Sequence, residues 1–243
     1  MITAGMTKKD IEKLCESESK AIDYFVCDKV KALSRELRRG LGKKACKCYD
    51  YVSTSKTEYK ICLMVTRRQY GIRCLAYCKE RNEYIITLLQ PEEKGKIFIR
   101  AITPHFLKRY AERSLHRSDM SINAMLSEFT EWHSNYVLIY YKNDNAVFAT
   151  NRGLVFGYAD KGRHIFIQRT FVSVDMLKPS QLDIYNKLLE VVEDKEERWT
   201  PHIGEGVGCS DALFTEYQRR KIDLGLLYRE YDEYFRKHPW KRR

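Results

Sequence analysis

Apolar positions recur at helical spacing near the start of the chain. Asp10 follows Thr7 at the spacing of a capping box, in which the N-cap side chain and a later acidic side chain each accept a backbone N–H. Gly40 and Gly42 end the pattern. The sequence therefore predicts a long amphipathic helix from about Thr7 to Arg39. Its apolar positions are Ile11, Leu14, Ile22, Phe25, Val26, Val30, Leu33 and Leu37.

Two runs of short segments rich in Tyr, Ile, Val and Cys follow this helix. The first run contains CKCYDYVS, EYKICLMVT, YGIRCLAYC and EYIITLLQ, followed by IFIRAI. The second contains YVLIYYK, AVFAT, GLVFGYA and HIFIQRTFVSV. Polar turn residues separate the segments, which is typical of antiparallel strands that follow one another in a meander.

Helical patterns lie between the two strand runs and after the second. Thr103 suits an N-cap and Pro104 the first helical position of a helix in ITPHFLKRYAERSLHRS, and INAMLSEFTEWH predicts a second helix. Two further helices are predicted, one from Pro179 and one from about Asp211 to Phe235. The pattern predicts an α+β fold with a mostly antiparallel sheet, a long N-terminal helix, a central helix pair and C-terminal helices.

The charge of the chain narrows the class of partner. The formal net charge is +11 at pH 7, which favours an anionic partner such as nucleic acid or an acidic protein. No apolar run is long enough to cross a membrane, and the N-terminus lacks the pattern of a secretory signal. We therefore expect a cytoplasmic protein without a membrane partner.

Eight cysteines raise the question of disulfides or metal. The pairs in CKC and CLAYC lie in predicted strands, where their spacing places each pair on one face of a sheet. Neither has the Cys-x2-Cys spacing typical of a zinc site. We expect buried, reduced thiols and no metal or other cofactor.

The helix that begins at Pro104 concentrates ionisable side chains on one face. At about 100° per residue, its polar side chains fall within an arc of about 100°. These are His105, Arg109, Glu112, Arg113 and His116. Imidazole can exchange a proton near neutral pH, and guanidinium donors match phosphate oxygens. The pattern is also that of an ordinary solvated helix face, and the sequence leaves both interpretations open.

The strand HIFIQRTFVSV offers a partner for this face. Strict alternation places Thr170 on one side of the strand, and Arg169 and Ser173 on the other, unless a bulge intervenes. Thr170 could bind a phosphate, although threonine is also common in strands for its shape alone. Arg152 and Arg163 lie at the two ends of a predicted hairpin and could add phosphate contacts. We expect the His105–Arg109 helix face and Thr170 to border one basic cleft.

The order of these motifs resembles the Barnase–EndoU–colicin–RelE superfamily of small ribonucleases. ITPHFLKRYAER, a second helix and strands ending in IFIQRTFVS are most similar to its RelE-like, BrnT-like and phage-encoded members. The resemblance covers residues 96–177. His105 and Arg109 match the family's helix pattern, Arg113 a less regular basic position, and Thr170 the late strand position.

The resemblance implies a metal-independent, toxin-like or phage-encoded endoribonuclease. The ribose 2′-hydroxyl would attack the neighbouring phosphorus, with His105 as base or acid. Arg109 would stabilise the phosphorane and Thr170 would position the RNA, with Arg113, Arg152 and Arg163 as further nucleic-acid contacts. Such an enzyme would need restraint by an inhibitory protein. The alternative is a regulatory protein without catalytic activity that binds nucleic acid or a host protein.

These interpretations divide the chain into four segments. Residues 1–44 are the N-terminal helix, and residues 45–95 are an antiparallel β-rich extension. Residues 96–177 are the nuclease-like domain. Residues 178–243 are a helical region with a basic tail.

Overall fold

The computed structural model describes residues 1–40, 42–87, 99–132, 137–198 and 224–239. Over these ranges the chain has an α+β fold with a long N-terminal helix, several shorter helices and a large, mostly antiparallel sheet. The helices are α1 (Lys8–Arg39), α2 (Pro104–Ser114), α3 (Ile122–Trp132), α4 (Pro179–Arg198) and α5 (Leu224–Lys237). The strands are β1 (Lys44–Val52), β2 (Glu58–Thr66), β3 (Tyr70–Cys78), β4 (Glu83–Thr87), β5 (Ile99–Ile102), β6 (Val137–Lys142), β7 (Asn145–Thr150), β8 (Gly153–Asp160) and β9 (Ile165–Ser173). Of the predicted last helix, residues 211–223 lie outside the described ranges.

The start of α1 confirms the predicted capping box. The Thr7 hydroxyl accepts a hydrogen bond from the Asp10 N–H at 3.4 Å, and the Asp10 carboxylate accepts one from the Thr7 N–H at 2.9 Å. Because these N–H groups have no partner within the helix, the reciprocal bonds fix where the helix begins. Its apolar stripe, with Ile11, Ile22 and Leu33 among the buried positions, packs on the sheet.

Both predicted strand runs belong to one sheet. Within the described ranges the strand order is β1-β2-β3-β4-β5-β9-β8-β7-β6. Neighbouring strands are antiparallel except β5 and β9, which pair in parallel from Ile99 opposite Ile165 to Ile102 opposite Gln168. The expected division between residues 95 and 96 therefore does not separate two sheets, because β5 joins the first run to the second.

Helices cover both faces of this sheet. On the face that we call the α1 face, α1 packs on β2, β3 and β4, while α4 and α5 pack on β6, β7 and β8. On the opposite face, which we call the α2 face, α2 and α3 bury Leu75, Val155, Phe166 and Phe171. The fold therefore has three layers, with the helix that carries His105 on the α2 face.

A buried carboxylate fastens α1 to the loop between β1 and β2. Glu18 is 6% exposed, and it accepts hydrogen bonds from the hydroxyls of Ser53 at 2.6 Å and Thr57 at 3.4 Å. The hydroxyls of Ser55 and Tyr59 also donate to it. Four hydroxyl donors around one carboxylate replace the water that burial removes.

The cysteines correct one expectation. Cys48 and Cys62 lie directly opposite each other in β1 and β2 and form a disulfide, so the prediction of reduced thiols is wrong for this pair. The free cysteines in the described ranges are Cys15, Cys27, Cys46, Cys74 and Cys78, and Cys209 lies outside those ranges.

The described residues offer neither a cluster of metal ligands nor a membrane-spanning helix. They contain no group of three or more His, Cys, Asp or Glu side chains placed to hold a metal ion. Among the same residues, no helix combines the length and the apolar character needed to span a bilayer.

Candidate anion-binding site between α2 and β9

The N-terminus of α2 is attached to β9. The Thr103 hydroxyl accepts a hydrogen bond from the Phe106 N–H at 3.1 Å and donates one to the main-chain carbonyl of Gln168 at 3.3 Å. Pro104 occupies the first turn, where its missing N–H leaves no bond unmade. The predicted N-cap is therefore confirmed, and it places the start of α2 beside the middle of β9.

The apolar side of α2 packs on the sheet as expected. Phe106, Leu107, Tyr110 and Ala111 are all buried. The ring of Tyr110 meets the ring of Phe171 edge to face, with centroids 5.1 Å apart. This packing fixes the rotation of the helix, so its opposite side, which carries His105 and Arg109, faces outward.

Half of β9 has an open edge next to α2. β5 pairs with β9 only as far as Gln168, and the described residues place no strand beside β9 on that side from residue 169 to 173. Nη1 of Arg113 donates hydrogen bonds to the main-chain carbonyl of Phe171 at 2.5 Å and to the Thr170 hydroxyl at 3.4 Å. Arg113 thereby supplies a donor that a neighbouring strand would otherwise provide.

A β-bulge at Arg169 interrupts the alternation of β9. Phe156 of β8 pairs with Thr170 and Gly157 pairs with Gln168, so Arg169 has no opposite residue. Phe166 and Phe171 therefore both lie on the α2 face, whereas strict alternation would separate them. Gly157 permits the close approach of the strands, because a Cβ there would lie 2.1 Å from the Ile167 carbonyl oxygen.

The bulge changes which residues of β9 lie on the sheet face that α2 covers. Thr170 pairs with Phe156, a residue buried among the α4 and α5 side chains, so Thr170 lies on the α1 face, opposite α2. The expectation that Thr170 and the His105–Arg109 face of α2 border one cleft is therefore wrong. The Thr170 hydroxyl joins the helix through Arg113 at the strand edge. Alternation placed Arg169 on the opposite side of β9 from Thr170. Arg169 is near enough to His105 to lower its pKa.

His105 lies in a strongly cationic setting. Its ring is exposed and forms no hydrogen bond with any residue in the described ranges. Partial burial lowers the pKa of His105 below its ordinary value, and the charges of Arg109, Arg169 and Arg113 lower it further, against a smaller opposite effect of Glu112. The imidazole is therefore neutral near pH 7 and able to accept a proton.

Glu112 partly offsets the positive charge of this helix face. Its carboxylate lies 3.1 Å from Nη1 of Arg109 and 3.9 Å from Nζ of Lys108. One carboxylate thus serves two cations, while Arg169 forms no ion pair within the described residues. The cluster keeps an excess of positive charge beside a neutral imidazole, which suits an anionic ligand such as a phosphodiester.

His116 does not share this surface. The helix ends at Ser114, and His116 follows it with a φ of 53°. The nearby Ser173 hydroxyl is the main cause of the lowered pKa of Asp175, and His116 adds a smaller effect in the same direction. The helical arc that included His116 therefore overestimated the length of α2.

Two of the expected phosphate contacts lie apart from His105 in the fold. Arg152 is in the turn between β7 and β8, at the end of the sheet where Gly153 pairs with Ser173. Arg163 is buried, with Nη1 2.5 Å from the Glu83 carboxylate and Nε 3.5 Å from the Met6 carbonyl. Its expected role as a nucleic-acid contact does not fit this position, and we correct it to a structural one.

The sequence contains a signal for the position of Arg169, which was not among the predicted site residues. Gly157 interrupts an otherwise apolar strand, and glycine within a strand is typical of a bulge. A bulge where Gly157 of β8 pairs with β9 changes which β9 residues lie on each face of the sheet, and that change falls near Arg169. Gln168, which precedes the bulge, is fully buried on the α2 face.

Comparison with known proteins adds no relative. No protein-family model matches the sequence, and neither the curated proteins nor the solved structures provide a match. The ribonuclease resemblance therefore stays a prediction, and we interpret the site from its own geometry.

Proposed function

We propose that this chain binds RNA at the α2–β9 cluster and cleaves it without a metal cofactor, with His105 as the proton acceptor. The observation that supports this proposal best is the exposed His105 imidazole, whose pKa is lowered beside Arg109, Arg169 and Arg113. An ordinary solvated helix face explains the charges of α2 itself. It does not explain a bulge that adds a third arginine, Arg169, from another element.

The chemistry would follow from the positions of these groups. The ribose 2′-hydroxyl attacks the adjacent phosphorus, and neutral His105 takes its proton. The bond from phosphorus to the 5′-oxygen breaks, and that oxygen takes a proton from water. The products are a 2′,3′-cyclic phosphate and a free 5′-hydroxyl. Arg109 and Arg169 would stabilise the extra negative charge of the pentacovalent phosphorane.

Arg113 and Thr170 would hold the substrate rather than react with it. Both described contacts of Arg113 use Nη1, which leaves the donors on Nε and Nη2 for a phosphate oxygen. Its bond to the Phe171 carbonyl fixes the guanidinium before RNA arrives, so little side-chain entropy is lost on binding. The Thr170 hydroxyl lies at the same strand edge and can accept or donate a hydrogen bond.

A binding protein without catalysis is the second candidate. The net charge of +11 supports it, since phosphate contacts by Arg and Lys alone suffice for nucleic-acid affinity. A protein of this kind would have no requirement for an imidazole at position 105. If the chain is instead an active ribonuclease, an inhibitory protein partner belongs to the proposal, because uncontrolled RNA cleavage is harmful to a cell.

The test compares two histidine variants on labelled single-stranded RNA with and without EDTA. His105→Gln should abolish cleavage and retain binding. The matched control is His164→Asn, which changes an exposed histidine in the turn before β9, where asparagine tolerates the φ of 55°. Full cleavage by folded His105→Gln would remove this residue from the mechanism. Binding without cleavage by the wild type would favour the second candidate.

A further inference from the structure

Two rings at the end of α5 form a stack that leads from the core to the surface. Tyr234 packs against the buried Phe156, with ring centroids 4.8 Å apart. The exposed ring of His238 stacks on Tyr234 at 4.8 Å with an interplanar angle of 25°. The outer face of His238 is thus an aromatic surface supported from below by the core.

The His238 ring is held in place by its own helix. Its main-chain N–H donates to the Tyr234 carbonyl at 2.9 Å, and the ring nitrogen Nδ1 lies 3.1 Å from the same oxygen. The Nδ1 contact and the stacking on Tyr234 together restrict the rotation of the side chain. A flat ligand that stacks on the imidazole would therefore meet a surface that is already oriented.

This stack lies next to the candidate phosphate site. Phe156, on which Tyr234 packs, pairs directly with Thr170. The Thr170 hydroxyl in turn contacts Arg113 at 3.4 Å. Burial raises the pKa of Tyr234 and the charge of Arg113 lowers it, as expected of neighbours. The end of α5 and the C-terminal part of α2 therefore approach the same stretch of β9 from opposite faces of the sheet, and Arg113 reaches between them at the strand edge.

Cations surround the stack. Lys237 forms an ion pair with Glu233 at 2.7 Å. Contact with Lys237 is the main cause of the lowered pKa of Glu233, and Arg236 and Lys178 add smaller effects. Three cations thus lie near one carboxylate, which leaves positive charge beside the aromatic surface.

We propose that Tyr234 and His238 form a stacking subsite for one base of a single-stranded RNA whose phosphate lies at Arg113. This inference rests on the proposed function and adds a second contact to it. Every base has an aromatic face, so stacking favours single strands without selecting a sequence. Base pairs would hide that face within the duplex, and the subsite would therefore disfavour double-stranded RNA. An acidic peptide would meet the same cations but has no flat ring to fill the outer face of His238.

Binding can be measured independently of cleavage with a 2′-O-methyl hexauridylate carrying a 5′ fluorophore, because it has no 2′-hydroxyl to attack. In a fluorescence-anisotropy titration of the full chain, His238→Ala and Tyr234→Leu should each weaken binding about 5- to 100-fold. His238→Phe should restore it. The control is Tyr228→Leu, which removes an exposed tyrosine of the same helix that packs against Tyr140 instead.

A second probe separates stacking from charge. The same oligomer with all bases replaced by abasic sites should bind the wild type as weakly as the intact oligomer binds His238→Ala. Binding of His238→Ala within twofold of the wild type, or an equal loss in Tyr228→Leu, would overturn the subsite. Equal binding of abasic and intact oligomers by the wild type would also overturn it, since only phosphates would then be recognised. If the wild type does not cleave RNA although the anisotropy results show stacking, the catalytic proposal alone is refuted.

Discussion

Arg113 donates a hydrogen bond to the main-chain carbonyl of Phe171, 2.5 Å away, beyond the last described pair between β5 and β9. The guanidinium therefore has a structural partner before any ligand binds. Arg109, one turn earlier, has a different setting, because its ion pair is with the partly exposed Glu112 of the same helix. These two arginines look equivalent in the sequence, but the structure gives them separable contributions.

Replacing each arginine by alanine should show this difference. Arg113→Ala leaves the edge carbonyl with one donor fewer and should lower the free energy of unfolding by about 1–3 kcal/mol. Arg109→Ala removes an exposed ion pair and should cost less than about 1 kcal/mol. Both should weaken RNA binding. Urea denaturation followed by circular dichroism checks the order, and equal stabilities would refute the anchoring role of Arg113.

The pKa of His105 gives a prediction for pH dependence. If His105 accepts the 2′-hydroxyl proton, kcat/KM should fall as the pH decreases through its lowered pKa, below the ordinary value of 6.5. Arg169→Gln removes one of the charges that lower this pKa. The acidic limb of the pH–rate profile should then move to higher pH. Lys108→Gln, which is not among the causes of the shift, is the control, and an unmoved limb in Arg169→Gln would contradict the assignment.

The buried ion pair between Arg163 and Glu83 should matter for stability alone. Their side chains are 5% and 4% exposed. Replacing either one by alanine should therefore leave an uncompensated buried charge and cost about 3–5 kcal/mol. The double variant Arg163→Met with Glu83→Leu should cost less than either single variant. Chemical denaturation measures the loss of unfolding free energy in each variant. A loss in the double variant equal to the sum of the two single losses would show that the two groups do not depend on each other.

Glu18 predicts sensitivity to acid. Burial acts to raise its pKa, but hydrogen bonds from Ser53, Ser55 and Tyr59 outweigh it and keep the pKa below 4.5. A carboxyl group with a lowered pKa in the folded chain stabilises it above the unfolded value, and this contribution is lost as the pH falls through the folded value. Glu18→Gln should thus be less stable at pH 7 by about 1–3 kcal/mol. Its stability should also decline less than that of the wild type below pH 4.5. Parallel pH profiles of the two proteins would contradict this role.

Local features of the fold were predictable from the sequence. The Thr7 capping box, the Thr103 N-cap and the apolar side of α2 each depend on residues within a few positions of one another. The polar side of α2, with His105 and Arg109, follows from the same periodicity. These elements could be placed because short-range sequence pattern determines them.

Features that depend on pairing between distant strands could not be predicted. The disulfide requires the register that sets Cys48 opposite Cys62. The burial of Arg163 requires Glu83 from a different strand, and the position of Arg169 requires a bulge against β8. Alternation along one strand carries no information on such contacts, so it could not show that Arg169, rather than Thr170, accompanies α2.

The parallel pairing of β5 with β9 has a consequence for how the chain folds. β1 to β4 and β6 to β9 each connect strands that are neighbours in the sequence, and contacts of this kind form quickly. The β5–β9 contact joins distant segments over only four residue pairs, from Ile99 to Ile102. Loop closure must precede it, so we expect it to be the slow step of folding. Until it forms, β5 and β9 both present uncovered edges that invite aggregation, and the start of α2 is not yet held beside β9. Acquisition of the candidate site and protection from aggregation are thus one kinetic event.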